Sequence, residues 1–380
     1  MPLVDAQYSS TVSRQFAGSM VVEYLCRRFP YRSEEEWRLQ VQSGNILVNR
    51  SSSSPDEPTS SNSEPSSSSS SSSASSSTVG SSLVVDPEWR VRRGDEVVYL
   101  VRGFEEAEVP TDVEVVWSGE GLVVARKPAG TPMTRTRRVL ENTFVELLRR
   151  AASLPLLSPL HRLDAETSGL VACCAEPRSL RALCRRMEDG SLVPRKFYLA
   201  VTRLPSSWSD YSCAIPLGPV DGDPVRLRVG PLPPDNPRAK ACVTRLTTVA
   251  SLSSHSLVLA RISSGRKHQI RAHLAALGRP LIGDKLYSDS DAAPFLAIQA
   301  SSSPSSVSSS ESLLFPRHQV ALGASHHLLH ALALDLIPTP AASPLRIFCD
   351  RLDPEWQPYL EPFDGWQAQV EHLLTGPFGC

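Results

Sequence analysis

The segment His161-Arg162-Leu163-Asp164-Ala165-Glu166-Thr167-Ser168-Gly169-Leu170 packs two cations, two acids, two hydroxyls and a glycine between a proline-containing loop and a run of buried-type residues. A structural turn rarely needs so many functional groups. An aspartate beside an arginine can be held ionised, because a close opposite charge lowers a carboxylate pKa by roughly 1–3 units. Such an aspartate can act as a nucleophile or base. From these ten residues alone a second reading stays open, in which Asp164 only caps the turn through backbone hydrogen bonds.

A second segment, Ser264-Gly265-Arg266-Lys267-His268-Gln269-Ile270-Arg271-Ala272-His273, reads as a glycine turn leading into a cationic helix start. Backbone N–H groups at a helix N-terminus attract phosphate, and Arg266, Lys267 and Arg271 reinforce them. An ordinary exposed basic helix is the alternative. Around the two segments, short apolar runs (Val113–Trp117, Leu122–Ala125, Leu170–Ala175, Tyr198–Val201, Leu257–Ile262) alternate with amphipathic stretches, implying mixed strands and helices. Residues 179–189 put Leu180, Leu183, Cys184 and Met187 on one helical face, with Arg181, Arg185 and Arg186 off it and Gly190 as the stop. A further helix is expected from about Lys267 to Leu277, with Ile270, Leu274 and Leu277 buried and Gly278 ending it.

Toward the N-terminus, Ser33 and Glu36 fit a capping box, Trp37 and Leu39 ride the helix, Gly44 suits its end, and Ile46 and Val48 alternate as a strand. The pattern resumes at Val84 and runs through a Gly94-Asp95 turn into Val97–Leu100. Between lies 51–82, almost all serine with Pro, Asp and Glu, and 301–312 repeats the theme. Neither stretch offers enough apolar area to offset the entropy of ordering, so both are expected to be disordered insertions.

The 380 residues are 41 % hydrophobic, enough for at least one core and plausibly two. Since no apolar stretch nears the roughly 20 residues of a membrane span, and the N-terminus lacks a secretory h-region, a soluble intracellular, cytoplasmic protein is expected. Ser9, Ser10, Ser13 and Arg14 against a single acid, Asp5, leave nuclear or organellar import open. Eight scattered cysteines, without C-x-x-C pairs, read as reduced thiols. His326, His327 and His330 lack a completing carboxylate or cysteine, so no metal is expected. Hydrolase, P-loop and dinucleotide motifs are absent from the sequence. Although net charge is −1, residues 124–150 hold seven Arg/Lys against two acids and 178–196 six against two, while 104–120 and 350–371 are acid-rich. That segregation suits either one basic face or plain solvated helix surface.

The two polar segments, together with "VVARKPAG" at 123–130, Arg195-Lys196-Phe197-Tyr198-Leu199-Ala200 and Gly283-Asp284-Lys285-Leu286-Tyr287, resemble the RluA-type RNA pseudouridine synthases in order and spacing across roughly residues 113–360. The helix, "SGNILVN" and "VRRGDEVVY" resemble an αL-type RNA-binding domain. These resemblances imply an α+β catalytic fold with a central mixed, mostly antiparallel sheet, preceded by a small αL-type module. The expected division is a tail at 1–15, the αL-type domain at 16–104 split by 51–82, the catalytic domain at 110–365 with its insertion at 301–312, and a tail at 366–380.

By the resemblance, Asp164 is the essential aspartate, Tyr198 stacks on the target base and assists proton transfer, and Arg271 ion-pairs with Asp164. Arg162 lies near the displaced base, Ile270 fills an apolar slot, and Leu329, within "LLHA" at 328–331, belongs to a late strand closing the site. His161, Thr167, Arg266, Lys267, His268 and Gln269 complete the expected substrate-binding set. Arg32, Arg38, Arg50, Arg126, Lys127, Arg185, Arg186, Arg195 and Lys196 are the expected grips on the RNA. The chemistry breaks the N1 glycosidic bond, turns the uracil and rejoins it through C5, so no cofactor or metal is required. The base must first leave its stack, which stacking on Tyr198 could assist. The expected partner is a tRNA or rRNA bound by a monomer, away from any membrane. Residues 214–246 match the family loosely, with Ala239-Lys240 where a Gly-Lys turn is usual, and this leaves the choice of RNA open. The alternative is an RNA-binding protein or chaperone that keeps the fold without turnover.

Overall fold

The computed structural model describes residues 3–30, 32–50, 77–79, 82–136, 138–223, 227–288, 322–376 and 378–379, and divides into two compact units, Met1–Ala107 and Glu108–Cys380.

In the first unit, β1 (Leu3–Thr11), α1 (Val21–Arg28), α2 (Glu34–Gln42), β2 (Ile46–Asn49), β3 (Ser77–Val79), β4 (Ser82–Val84) and β5 (Glu96–Glu105) follow in chain order. The strands form one antiparallel sheet, β1-β5-β2-β4-β3. The capping box is present: Ser33 Oγ accepts the Glu36 N–H at 3.2 Å and Glu36 Oε2 accepts the Ser33 N–H at 2.7 Å. Tyr24, Leu25, Trp37, Val41, Ile46 and Val91 make the core. Residues 1–15 are not a tail, since β1 pairs along β5 and Tyr8 stacks on Tyr99 at 6.3 Å. Of the expected insertion at 51–82, residues 51–76 and 80–81 lie outside the described residues, and its end instead pairs as the β3–β4 hairpin. The expected insertion at 301–312 also lies outside them.

The second unit contains β6 (Glu114–Gly119), β7 (Leu122–Lys127), α3 (Phe144–Ala152), β8 (Ser158–Pro159), β9 (Ser168–Cys174), α4 (Pro177–Glu188), β10 (Arg195–Arg203) and β11 (Tyr211–Cys213). A small hairpin, β12 (Leu217–Pro219) and β13 (Val229–Pro231), precedes β14 (Thr244–Ser251), β15 (His255–Ile262) and α5 (Gln269–Ala276). The chain closes with β16 (Leu329–Leu336), β17 (Leu345–Phe348), α6 (Gln357–Leu360) and α7 (Trp366–Thr375). The main sheet runs β11-β14-β15-β10-β16-β9-β7-β6, with β17 and β8 branching from β16 and β9. It is antiparallel except between β9 and β16, which pair in parallel over Ser168–Gly169 and His330–Ala331. The expected mixed, mostly antiparallel sheet is therefore present, and α4 and α5 fall where periodicity put them.

The parallel contact explains Gly169. At φ +108° an added Cβ would lie 2.3 Å from the Ala331 carbonyl oxygen, so only glycine lets the two strand starts meet. That close approach brings the loop carrying Asp164 beside the start of β16. Both sheet faces are covered. Leu148, Phe144 and Leu274 pack on one side, whereas Phe197, Leu199, Leu257 and Leu332 meet Trp356, Phe363, Trp366, Val370 and Leu374 on the other.

Residues 366–380 are accordingly no tail either: α7 inserts Trp366, Val370 and Leu374 at helical spacing into the core. Trp366→Ala is expected to lower stability by about 3–5 kcal/mol, the range for deleting a buried large side chain. Leu156, 63 % exposed, should tolerate the same change within about 0.5 kcal/mol. Urea unfolding of both variants checks this, and equal effects would contradict a core role for α7.

Candidate active site

Asp164 sits in the loop that leads into β9. The Thr167 N–H donates to the Asp164 carbonyl at 3.1 Å, closing the turn through backbone and leaving the side chain free for another partner. Thr167 and Ser168 anchor the loop's far end, with Thr167 Oγ1 2.8 Å from His327 Nε2 and Ser168 Oγ 2.8 Å from His330 Nδ1. The turn-cap reading therefore fails, because the Asp164 carboxylate is spent on an arginine instead.

That arginine is Arg271, on α5. Its Nη1 donates to Asp164 Oδ2 at 2.7 Å, while Nε and Nη2 donate to the two oxygens of Asp284 at 2.8 Å each. Asp284 is fully buried, and its Oδ1 also accepts the N–H groups of Leu286 and Tyr287 at 2.9 and 3.1 Å. The Arg271 side chain is 5 % exposed and that of Asp164 26 %, so the shared cation lies behind and the carboxylate in front. Burial pushes both aspartate pKa values up, but Arg271 first, aided by His327 and by His268 at Asp164 and the Leu286 N–H at Asp284, more than offsets it and holds both below the ordinary 3.8. Asp164 is thus ionised at neutral pH.

A cavity of about 670 Å³ opens over this pair. Tyr198, Ile262, Ile270 and Leu329 line it with apolar surface, and Arg162, Arg266 and Lys267 are exposed along its walls. Burial, helped by the Asp164 charge, raises the Tyr198 pKa, keeping the phenol neutral. Thr167, His268 and Gln269 line the cavity as well. A second ionic group, unforeseen from sequence, completes the wall. Glu166 accepts from Lys285 Nζ, and its Oε2 lies 3.2 Å from His327 Nδ1. Burial raises the Glu166 pKa, yet His327 and Lys285 together bring it below the usual range.

Residues 121–276, which span Asp164, Tyr198 and Arg271, match the family model described as RNA pseudouridylate synthase. This stretch of the second unit is similar to RNA pseudouridine synthases. The chain is similar to an uncharacterised RNA pseudouridine synthase of Synechocystis, with 29 % identity over 70 % of this chain and 79 % of that one. It is similar also to a ribosomal large subunit pseudouridine synthase D of Xylella fastidiosa, with 28 % identity over 74 % and 75 % of the two chains. A solved structure titled human RNA pseudouridylate synthase domain containing 1 covers 72 % of this chain and 99 % of its own, at 18 % identity and a TM-score of 0.50, a likeness of fold.

Within the second unit several expected contacts fall elsewhere. His161 does not line the cavity: its Nε2 accepts the Ala172 N–H at 3.0 Å, and burial lowers its pKa to about 3. Lys127 and Lys196 are buried and donate to backbone carbonyls, Lys127 to Pro128, Thr131 and Ala165 at 2.7–2.9 Å and Lys196 to Ser263 at 3.1 Å. Burial draws their pKa values down to about 7 and about 8. Arg126 is buried against Asp112 and Glu114. Arg186 ties α4 to the carbonyls of Ile337 and Pro338, and Arg195 pairs with Asp335. These side chains hold the domain together, and none is positioned as a free phosphate grip. Arg185 alone of the six expected in this domain is exposed with its charge turned outward from the core face of α4. In the first unit, Arg38 pairs with Glu34 and Glu88, Arg50 with Asp95, and Arg32 lies over Trp37 and Tyr99.

Among the described residues, no group of three or more His, Cys, Asp or Glu is arranged for a metal ion, and no helix is long and apolar enough to cross a membrane.

Arg271→Met leaves Asp284 buried without its cation and is expected to cost about 3–5 kcal/mol at pH 7. A depressed carboxylate pKa contributes stability above the unfolded value and loses it as pH falls through the folded one. The gap between wild type and variant should therefore be widest above about pH 4 and narrow below it. Urea titrations at pH 7 and pH 3 check this; a gap that widens in acid would contradict the charge assignment.

Proposed function

We propose that the chain isomerises uridine to pseudouridine in RNA with Asp164 as the reacting carboxylate, Tyr198 as the stacking and proton-transfer partner of the base, and Arg271 as the group that keeps Asp164 ionised. The observation that carries this reading is the 2.7 Å pair between Arg271 and Asp164 in the lining of a cavity that the buried Tyr198 also lines. Atoms balance without any co-reactant: the C1′–N1 bond breaks, a C1′–C5 bond forms, the C5 proton leaves and N1 takes one up. An ionised carboxylate can attack the sugar or base, or withdraw a proton. Arg162, Arg266 and Lys267 supply cationic surface around the cavity for the flanking phosphates. Ile270 and Leu329 present an apolar wall to the extruded uracil.

The first unit serves in this reading as an αL-type RNA-binding module, supported by the capped α2 followed by β2 and the β5 turn. The similarity to a relative named for the large ribosomal subunit favours an rRNA substrate over a tRNA.

RNA carrying tritium at uridine C5 tests the reaction. Wild type should release label to solvent, and Asp164→Asn should lose release by at least about 10²–10⁴-fold, the contribution of a positioned proton-transfer group. RNA binding without release by wild type would favour the non-catalytic RNA-binding alternative. The rate should also stay flat from pH 5 upward on account of Asp164, whose pKa lies below 3.8. An acid limb near pH 6 assignable to Asp164 would contradict its pairing with Arg271.

A further inference from the structure

His268 occupies a position no residue adopts cheaply. It precedes α5 with φ +51°, ψ +22°, and of the five non-glycine residues with positive φ among the described residues it is the one that lines the cavity. Left-handed backbone at a non-glycine residue costs of order 1 kcal/mol or more and gathers at functional sites. Here the strain turns the imidazole toward Asp164, with Nε2 3.7 Å from Oδ1, the carboxylate oxygen that Arg271 leaves free.

The neighbour behind the ring decides where its proton sits. Tyr287 OH accepts the Val229 N–H at 3.0 Å and lies 3.0 Å from His268 Nδ1. Its ring is pinned by the Arg271 guanidinium over one face at 5.2 Å and by the edge-on His268 ring at 5.7 Å. With its oxygen already accepting from Val229, the phenol has its own proton to give, and Nδ1 is the acceptor in reach. Nε2 must then carry hydrogen, which also suits the facing Asp164 anion, whereas the opposite tautomer would aim a lone pair at it. Burial keeps the ring neutral, with a pKa lowered to about 4 despite Asp164. His268 thus presents one fixed N–H donor at the wall of the cavity, beside the oxygen that addresses the nucleotide.

Resting on the uridine-isomerising reaction described above, we propose that His268 is a substrate-contacting residue whose Nε2–H donates to the ribose 2′-hydroxyl oxygen of the target nucleotide, with Tyr287 as the positioning residue that fixes its tautomer. Three oxygens of the nucleotide lie close to C1′: ribose O4′, uracil O2 and ribose O2′. The O4′ lone pair is drawn toward C1′ as N1 leaves, so a donor there would oppose bond breaking. Uracil must turn after N1 leaves C1′, so a fixed donor on O2 would hold back the step the site exists to allow. The ribose stays attached to the RNA throughout, and a donor to O2′ grips the nucleotide before, during and after the turn. The same contact makes the site read RNA over DNA, because the 2′-hydroxyl is the group that distinguishes them.

The test crosses protein variants with a single substrate atom. The RNA that releases tritium with wild type is assembled by ligation with either ribouridine or 2′-deoxyuridine, tritiated at C5, at the reacting position alone, and release is followed with enzyme below saturation. Wild type should favour the ribo RNA by about tenfold, equivalent to about 1.4 kcal/mol. His268→Ala should lose about tenfold on ribo RNA and little on deoxy RNA, erasing the preference. His268→Gln, which keeps an N–H donor at similar reach, should retain part of it. Tyr287→Phe should lower the preference while leaving the deoxy rate near wild type, which a merely structural role would not do. Equal loss on both RNAs, or an intact preference in His268→Ala, overturns the proposal. If wild type releases no label from any RNA, the uridine-isomerising reaction itself fails, which is a separate result.

Discussion

One guanidinium shared between two carboxylates organises the catalytic unit. Arg271 spends its bidentate edge on Asp284, deep in the protein, and its remaining nitrogen on Asp164, at the cavity floor. Burying an ion is expensive, and the attraction repays the cost only when geometry is good and remaining hydrogen bonds are satisfied. Asp284 meets that demand with two backbone N–H groups besides the arginine. Arg271 is thereby fixed before any substrate arrives, and Asp164 inherits its orientation. With one cation against two anions the cluster is net negative, and Arg162, Arg266 and Lys267 around the cavity offset that charge. Cationic walls over a carboxylate floor suit a ligand that is anionic along its backbone and neutral at its base.

The same economy shows in the histidines. His330 is buried, its Nε2 within 2.8 Å of the Cys349 carbonyl and its Nδ1 within 2.8 Å of the Ser168 hydroxyl. A carbonyl can only accept, so Nε2 carries the proton and Nδ1 receives from Ser168, and burial lowers the pKa to about 4. His161 is likewise a neutral acceptor, for the β9 backbone. Both pin the strand that Asp164 leads into. Histidine here is a rigid hydrogen-bonding frame, and the charge in the site belongs to the carboxylates, Arg271, Lys285 and the wall cations Arg162, Arg266 and Lys267.

Much of this was legible in the amino-acid sequence because it is local. The Ser33–Glu36 capping box, the stop at Gly190 and the apolar runs of β7, β9, β10 and β15 follow from short-range rules, and the "HRLDAETSGL" and "SGRKHQIRAHL" segments carry their site residues together. The pairing of Asp164 with Arg271 spans 107 positions and was accessible only through family resemblance. Asp284 went unassigned because a buried partner of a buried arginine looks, in sequence, like any loop aspartate. The cations were overread for the converse reason: sequence shows charge without burial. Lys127 ends a strand buried at every position and runs into Pro-Ala-Gly, a context that already argued for an internal role. At the N-terminus, a targeting-like composition of serines and Arg14 masks a strand. Trp366, Val370 and Leu374 stand four apart, a helical signature that outweighed the C-terminal position.

The central claim is that Arg271 holds Asp164 as a carboxylate facing the cavity. Carbon-13 labelling of aspartate side chains, with the Asp164 signal assigned by its loss in Asp164→Asn, allows its titration to be followed by NMR in the folded protein. A midpoint below the ordinary aspartate value of 3.8 is predicted. A midpoint at or above that value, in protein that remains folded, would contradict the account.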